Sequence, residues 1–196
     1  MTEQDAIRQI KHGHVSGLEL LVKRYQVRAV RTAYLITRDR ALAEDVVQEA
    51  FLHFFDHVDQ FDETRPFAPY FLRSVVNRAV RRVSRDRRTI DLDSANNQLP
   101  APDLIENADT REAIWNALGQ LSPEQRAAVV QFYFLDMTER EISQQADAPL
   151  GTVKWRLYKA RNRLRELLSP LRPRRPTSTE LTEDSYERRA KKTPAD

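Results

Sequence analysis

The chain contains no cysteine, only four glycines in 196 residues, and no apolar run approaching the length of a membrane span. Without cysteine there are no disulfides and no thiolate metal sites, which fits a reducing compartment. Scarce glycine leaves no loop of the kind that cradles phosphates. The polar opening MTEQDAIRQI argues against a secretory signal and for a cytoplasmic protein. No catalytic triad or metal cluster is visible, so neither an enzyme nor a cofactor is expected. His53 and His57 stand four apart as metal ligands can, but Phe54 and Phe55 sit between them where a zinc protease would place its glutamate. Packing or surface is the better reading of that pair.

What is present is helical pattern and segregated charge. Ten prolines and few alternating runs of β-branched residues argue for an all-α chain. The net charge of +3 conceals blocks of opposite sign. Residues 39–60 hold six acids and one base, 73–88 hold seven arginines against Asp86, and 89–109 hold five acids and no base. Alternating blocks suggest several different surfaces along one chain.

Leu18, Leu21, Val22, Tyr25, Ala29, Ala33 and Ile36 recur at helical spacing and predict a long amphipathic helix ending near Thr37. A second helix begins after Asp39, with Ala43, Val46, Val47, Ala50, Phe51 and Phe54 on one side and Glu44, Asp45, Gln48 and Glu49 on the other. DQFDETRPF is turn-like. Pro66 and Pro69 then mark entry into a third helix, through about Arg82, with Phe71, Leu72, Val75 and Ala79 inward and Tyr70, Arg73, Asn77, Arg78 and Arg81 outward. Residues 89–108 lose periodicity and gain Pro, Asn and Asp, which predicts a flexible acidic linker between two independently folded units. A helix from about Asp109 to Gln120 follows. Ser122-Pro123-Glu124-Gln125 then combines an N-cap serine, a first-turn proline and a capping glutamine, and starts a helix to about Leu135. Residues 170–196 have too little apolar surface to offset their ordering entropy and are expected to be disordered. The expected division is 1–88, linker 89–108, 109–169 and tail 170–196.

The most informative segment is 138–168. Thr138 and Glu141 form a capping box that starts a short helix to about Gln145; Asp147 and Pro149 break it and a second helix follows. Val153, Leu157, Ala160, Leu164 and Leu168 form its apolar stripe, and Lys154, Trp155, Tyr158, Arg161, Asn162 and Arg165 share the opposite face. Two short helices joined by a tight turn, the second basic and carrying exposed aromatics, predict a helix-turn-helix in the major groove. A solvated helix would instead keep Trp and Tyr inward. Lys154, Trp155, Tyr158 and Arg161 are candidate base contacts, while Arg156, Lys159 and Arg163 lie to the side and suit phosphates.

Three blocks carry a resemblance: ITRDRALAEDVVQEAFL, FDETRPFAPYFLRSVVNRA, and LSPEQRAAVVQFYFLDMTEREISQQADAPLGTVKWRLYKARNRLREL. In this order they resemble bacterial RNA polymerase sigma factors of the sigma-70 superfamily, extracytoplasmic-function (ECF) group, over roughly residues 5–169. The resemblance implies two small helical domains, a region 2 bundle and a region 4 helix-turn-helix, in a protein that binds core polymerase and directs it to promoters. It implies that Asp39, Glu44, Asp45, Gln48 and Glu49 dock on the clamp coiled coil of the largest polymerase subunit. It assigns the following loop and helix to the single-stranded minus-ten element, with Phe61, Asp62, Thr64, Tyr70, Arg73, Asn77 and Arg81 as candidates. It assigns Thr152, Lys154, Trp155, Arg156, Tyr158, Lys159, Arg161 and Arg163 to the double-stranded minus-thirty-five element. An anti-sigma factor is the further partner it implies. The chain departs from the usual pattern at Tyr70, commonly Trp, at Ala68-Pro69, commonly a polar pair, and at Trp155, commonly a small residue. A free-standing helix-turn-helix regulator would share the last two helices, but the acidic helix and the loop beside a basic, aromatic helix argue against it.

Overall fold

The computed structural model describes residues 2–89 and 108–169. The linker and tail therefore lie almost wholly outside the described residues. Within them the chain is helical, with no strand: α1 Glu3–Lys11, α2 Val15–Thr37, α3 Arg40–Asp56, a 3-10 turn Val58–Gln60, α4 Phe67–Thr89, α5 Ala108–Gly119, α6 Pro123–Tyr133, α7 Glu139–Gln145 and α8 Leu150–Leu167.

Local chemistry explains most boundaries. Ser122 and Thr138 each cap a helix through the reciprocal bonds that their sequences predict, with Gln125 and Glu141 as the returning partners. Asp39 caps α3 by accepting from Leu42 N at 2.9 Å. Arg38 takes the left-handed conformation (φ 62°) that ends α2. Two boundaries differ from the sequence expectation. α4 runs on to Thr89 rather than stopping near Arg82. α1 was not foreseen, although Thr2 and Asp5 form a capping box around it. Its apolar residues, Ala6, Ile7 and Ile10, are too few for a periodicity argument, but all three are buried. Gly17 admits α1 to close range of α2, since a Cβ there would meet the Ala6 carbonyl oxygen at 2.2 Å.

The first domain, α1–α4, is built on an aromatic cluster in which Phe54, Phe61 and Phe67 meet edge to face and Phe67 stacks on Phe71 at 5.2 Å. The second domain, α5–α8, has a smaller cluster of Ala128, Met137, Ile142, Val153 and Leu157 under its two last helices. The two domains are docked on each other. α6 packs against α2 and α4 as well as α8, and one apolar core runs from Ala6 to Ala160. Trp115 packs against Tyr34 with ring centroids 4.6 Å apart and the planes tilted by 34°, and the Arg38 guanidinium lies over its ring at 4.9 Å. The physical reason is that Trp115, Leu118, Leu121, Val129 and Val130 of α5, α6 and the turn between them are buried in the core of the first domain rather than in the smaller cluster under α7 and α8.

Candidate polymerase and nucleic-acid interfaces

Three surfaces collect the charged residues. On α3, Ala43, Val46, Val47, Ala50, Phe51 and Phe54 are buried, which leaves Glu44, Asp45, Gln48 and Glu49 exposed in a row. Glu44 pairs with Arg40 at 2.8 Å and Glu49 with Arg82 at 3.3 Å, both in solvent. Such exposed pairs hold little energy and exchange readily for another partner. Asp39 sits at the end of the row, but its carboxylate is committed to the α3 cap. Beside the row, Leu18, Val22, Val30 and Leu52 line a shallow apolar groove between α2 and α3.

The second surface is the outward side of α4. Tyr70, Arg73, Asn77 and Arg81 line one groove of about 660 Å³ together with Arg65, Arg78 and His53. The fold thus brings four of the seven predicted residues of that set together. The loop before α4 behaves differently. Asp62 Oδ1 accepts from Thr64 N at 3.0 Å and from Thr64 Oγ1 at 2.6 Å, closing an Asx turn. Those two bonds hold the Asp62 carboxyl below the usual carboxylate range. Phe61 is a correction: it is 4% exposed and packs among Phe54, Phe67 and Tyr70, so it is core and not a free platform for a base. The loop is held from behind by residues that the sequence reading missed. Lys11 Nζ donates to Phe61 O at 3.1 Å and pairs with Glu63 at 2.9 Å, while Glu3 accepts from Phe67 N at 3.2 Å and from the Tyr25 hydroxyl. Burial, then the Glu3 contact, pushes the Tyr25 phenol up to about 12. No periodicity could have found these contacts, because their partners lie 22 to 64 residues apart.

Part of the α4 face is engaged by the second domain. Arg73 pairs with Glu141 at 3.3 Å, and Gln145 Nε2 donates to Arg73 O at 3.2 Å and to Asn77 Oδ1 at 3.4 Å.

The third surface is α8. Val153, Leu157 and Ala160 are fully buried, and Lys154, Trp155, Tyr158, Lys159 and Arg163 are exposed, as the helical phase predicts. Trp155 and Tyr158 are 56% and 60% exposed, unusual for rings of that size in a folded core protein. Arg161 is held in place, its Nε donating to the Tyr133 hydroxyl at 3.0 Å and its guanidinium lying over the Phe132 ring at 5.0 Å. Thr152 is half-buried in the first turn. Arg156 is set apart from the rest of its group, since it lines the cleft between domains with Asn77, Arg81 and Glu124.

A capped two-helix unit with an exposed basic and aromatic second helix, docked on a bundle with one acidic and one basic face, defines a DNA-binding protein with a separate protein-docking surface. Residues 21–89 match Sigma-70 region 2, and residues 111–164 match Sigma-70, region 4. The chain is 34% identical to the ECF RNA polymerase sigma factor SigL of Mycobacterium tuberculosis over 146 residues, 72% of this chain and 82% of that one. It is 26% identical to the ECF sigma factor SigW of Bacillus subtilis over 180 residues, 84% of this chain and 96% of the relative. In fold it resembles CnrH, solved in complex with the cytosolic domain of CnrY, with a TM-score of 0.59 at 22% identity, covering 86% and 97% of the two chains. The chain belongs to the ECF sigma factors of bacterial RNA polymerase, and is a transcription initiation factor that brings core polymerase to specific promoters.

Proposed function

We propose that the three surfaces divide the work of promoter recognition. Residues 1–88 form the region that binds core polymerase and the minus-ten element, residues 109–169 the reader of the minus-thirty-five element, and 89–108 the connection between them, with 170–196 as a tail. The exposed row of Glu44, Asp45, Gln48 and Glu49, with Asp39 at its end, meets the basic clamp coiled coil, where complementary charge steers association. Tyr70, Arg73, Asn77 and Arg81, with Asp62 and Thr64 shaping the loop, receive the unpaired strand of the minus-ten element. Lys154, Trp155, Tyr158 and Arg161 approach base edges of the upstream element, Arg156, Lys159 and Arg163 approach phosphates, and Thr152 belongs to the same DNA-binding set.

The observation that carries this reading is the exposure of Trp155 and Tyr158 beside Lys154 on a helix whose opposite stripe is fully buried. The protein acts without catalysis of its own, in the cytoplasm. No helix among the described residues is long and apolar enough to cross a membrane. An anti-sigma partner fits as well. CnrH was solved with CnrY, and the sigma factor RpoE of Bartonella quintana with the anti-sigma factor NepR. Promoter-dependent transcription with core polymerase and this chain alone tests the whole. New start sites on fragments of the source genome are the expected result, and core enzyme whose start-site choice is unchanged would refute it.

A further inference from the structure

The groove beside α4 has a second wall that no assignment above uses. Arg65, Arg73, Arg78 and Arg81 give it four cations, and Glu141 is its one acid. Arg65 is partly satisfied by Asp62 at 3.3 Å and Arg73 by Glu141 at 3.3 Å, while Arg78 and Arg81 make no ion pair among the described residues. Its volume of about 660 Å³ falls within the roughly 300–1,000 Å³ typical of binding clefts. His53 also lines it, from α3, one turn beyond Glu49 at the end of the acidic row. The ring is stacked flat on His57 at 4.2 Å with 12° between planes, so its direction is set before any ligand arrives.

We propose that His53 belongs to the nucleic-acid site: together with Arg78 it holds a backbone phosphate of a single strand lying in the groove, and it does so in its protonated form. This rests on the reading of the α4 face as a single-strand site. A phosphate diester fits better than a carboxylate or a planar organic anion. The groove lining combines several arginines, which suit the repeated charges of a backbone, with Tyr70, on which a base can stack.

The charges around His53 give the contact a pH dependence. On its own helix it is flanked by Glu49, which is tied to Arg82, and by Asp56 and His57. The groove lining adds Arg78, Arg65, Arg73 and Arg81, with Tyr70 and Glu141. Burial, then Arg78, then His57 hold the imidazole below its ordinary value, with Asp56 opposing. A phosphate brought between His53 and Arg78 reverses the sign of the local field and raises it. Strand binding therefore takes up a proton. Affinity should rise as pH falls toward and below the ordinary imidazole value of about 6.5, and the gain should vanish above it. If the imidazole moves by half a unit to one unit between free and bound states, the gain is about three- to tenfold.

The test uses the full chain and a fluorescein-labelled oligothymidylate at low ionic strength, titrated by anisotropy at about pH 6 and about pH 8. His53 is exposed, so its substitution spares the core. The wild type should bind about three- to tenfold more tightly at the lower pH. His53→Gln should bind weakly at both, and His53→Arg tightly at both, because the arginine keeps the charge and loses the titration. Arg73→Ala should weaken binding at either pH. If His53→Gln matches the wild type at both pH values while Arg73→Ala is weak, His53 is outside the site and the groove reading survives. If His53→Arg binds no better than His53→Gln, the charge at this position touches no phosphate and the proposal fails. If Arg73→Ala also binds as the wild type does, the single-strand reading of the groove fails with it.

Discussion

Arg126 is 3% exposed, and its Nη1 donates to the carbonyl oxygen of Ile36 at 2.8 Å, ninety residues earlier in the chain. Ile36 lies in the last turn of α2, where carbonyls lack helical partners and the helix end is electronegative. A side chain of the second domain thus caps a helix of the first. A hydrogen bond with a charged donor in such a place contributes about 1.5–3 kcal/mol. Arg126→Ala should destabilise the protein by about that amount, read from the midpoint of urea unfolding. A loss well below 1 kcal/mol would mean that water replaces the guanidinium without cost.

Gln145 gives a second handle on the docked state. Its amide bonds Arg73 O and Asn77 Oδ1, and the strand would need the same face. Gln145→Ala should tighten oligothymidylate binding by the isolated chain severalfold, since each of its two neutral hydrogen bonds contributes about 0.5–1.5 kcal/mol. Equal or weaker binding would show that the docked domain leaves the groove open.

Asp45 and Glu49 project from α3 opposite Val46, Val47 and Ala50. Reversing both charges, Asp45→Lys with Glu49→Lys, should weaken competition for core polymerase and leave helicity intact. The lost surface pair between Glu49 and Arg82 contributes little in solvent. Unchanged affinity for core, with helicity preserved, would make the row a solvated face.

On α8 the two sets of side chains should fail differently. Truncating Lys159 or Arg163 should weaken binding on all sequences and shallow its salt dependence, because each phosphate contact releases counterions. Trp155→Ala or Tyr158→Ala should cost discrimination at particular base pairs, about 1–3 kcal/mol for a strong contact, in a promoter-library assay. General loss of stability with unchanged base preference would move these rings into a protein interface.

Acid should loosen the loop before α4. Glu63 is held below its ordinary value, first by its hydrogen bond to Lys11. A carboxylate depressed in the folded state contributes stability above its unfolded value and loses it as pH falls through the folded one. Protection of the amides of residues 61–65, relative to the intrinsic exchange rate at the same pH, should therefore fall below about pH 4.5. Lys11→Ala should produce the same loss of protection at neutral pH. Protection unaltered by either would show that Lys11 and Glu63 are a bystander pair.

Much of this was legible in the chain. The faces of α3 and α8 follow from spacing alone, since each apolar residue placed inward by the 3.6-residue period is buried on α3, and on α8 Val153, Leu157 and Ala160 are. The caps at Ser122 and Thr138 follow from side chains that bond within one turn. The place of Phe61, core or base contact, is not legible in the sequence, because a single aromatic in a loop carries no period and its exposure depends on Phe54 and Phe67 from two helices.

The sequence by itself determined the helices after α1 and their polar and apolar faces, because each depends on interactions within a few residues, and the order of the three motifs that carry the family resemblance. Only the tertiary structure decided that the second domain docks on the first through Arg126 and Trp115, that Lys11 and Glu3 hold the loop, and that His53 faces the arginines of α4. Those are contacts between residues far apart in the chain, and they exist only once packing of the apolar faces has brought the helices together.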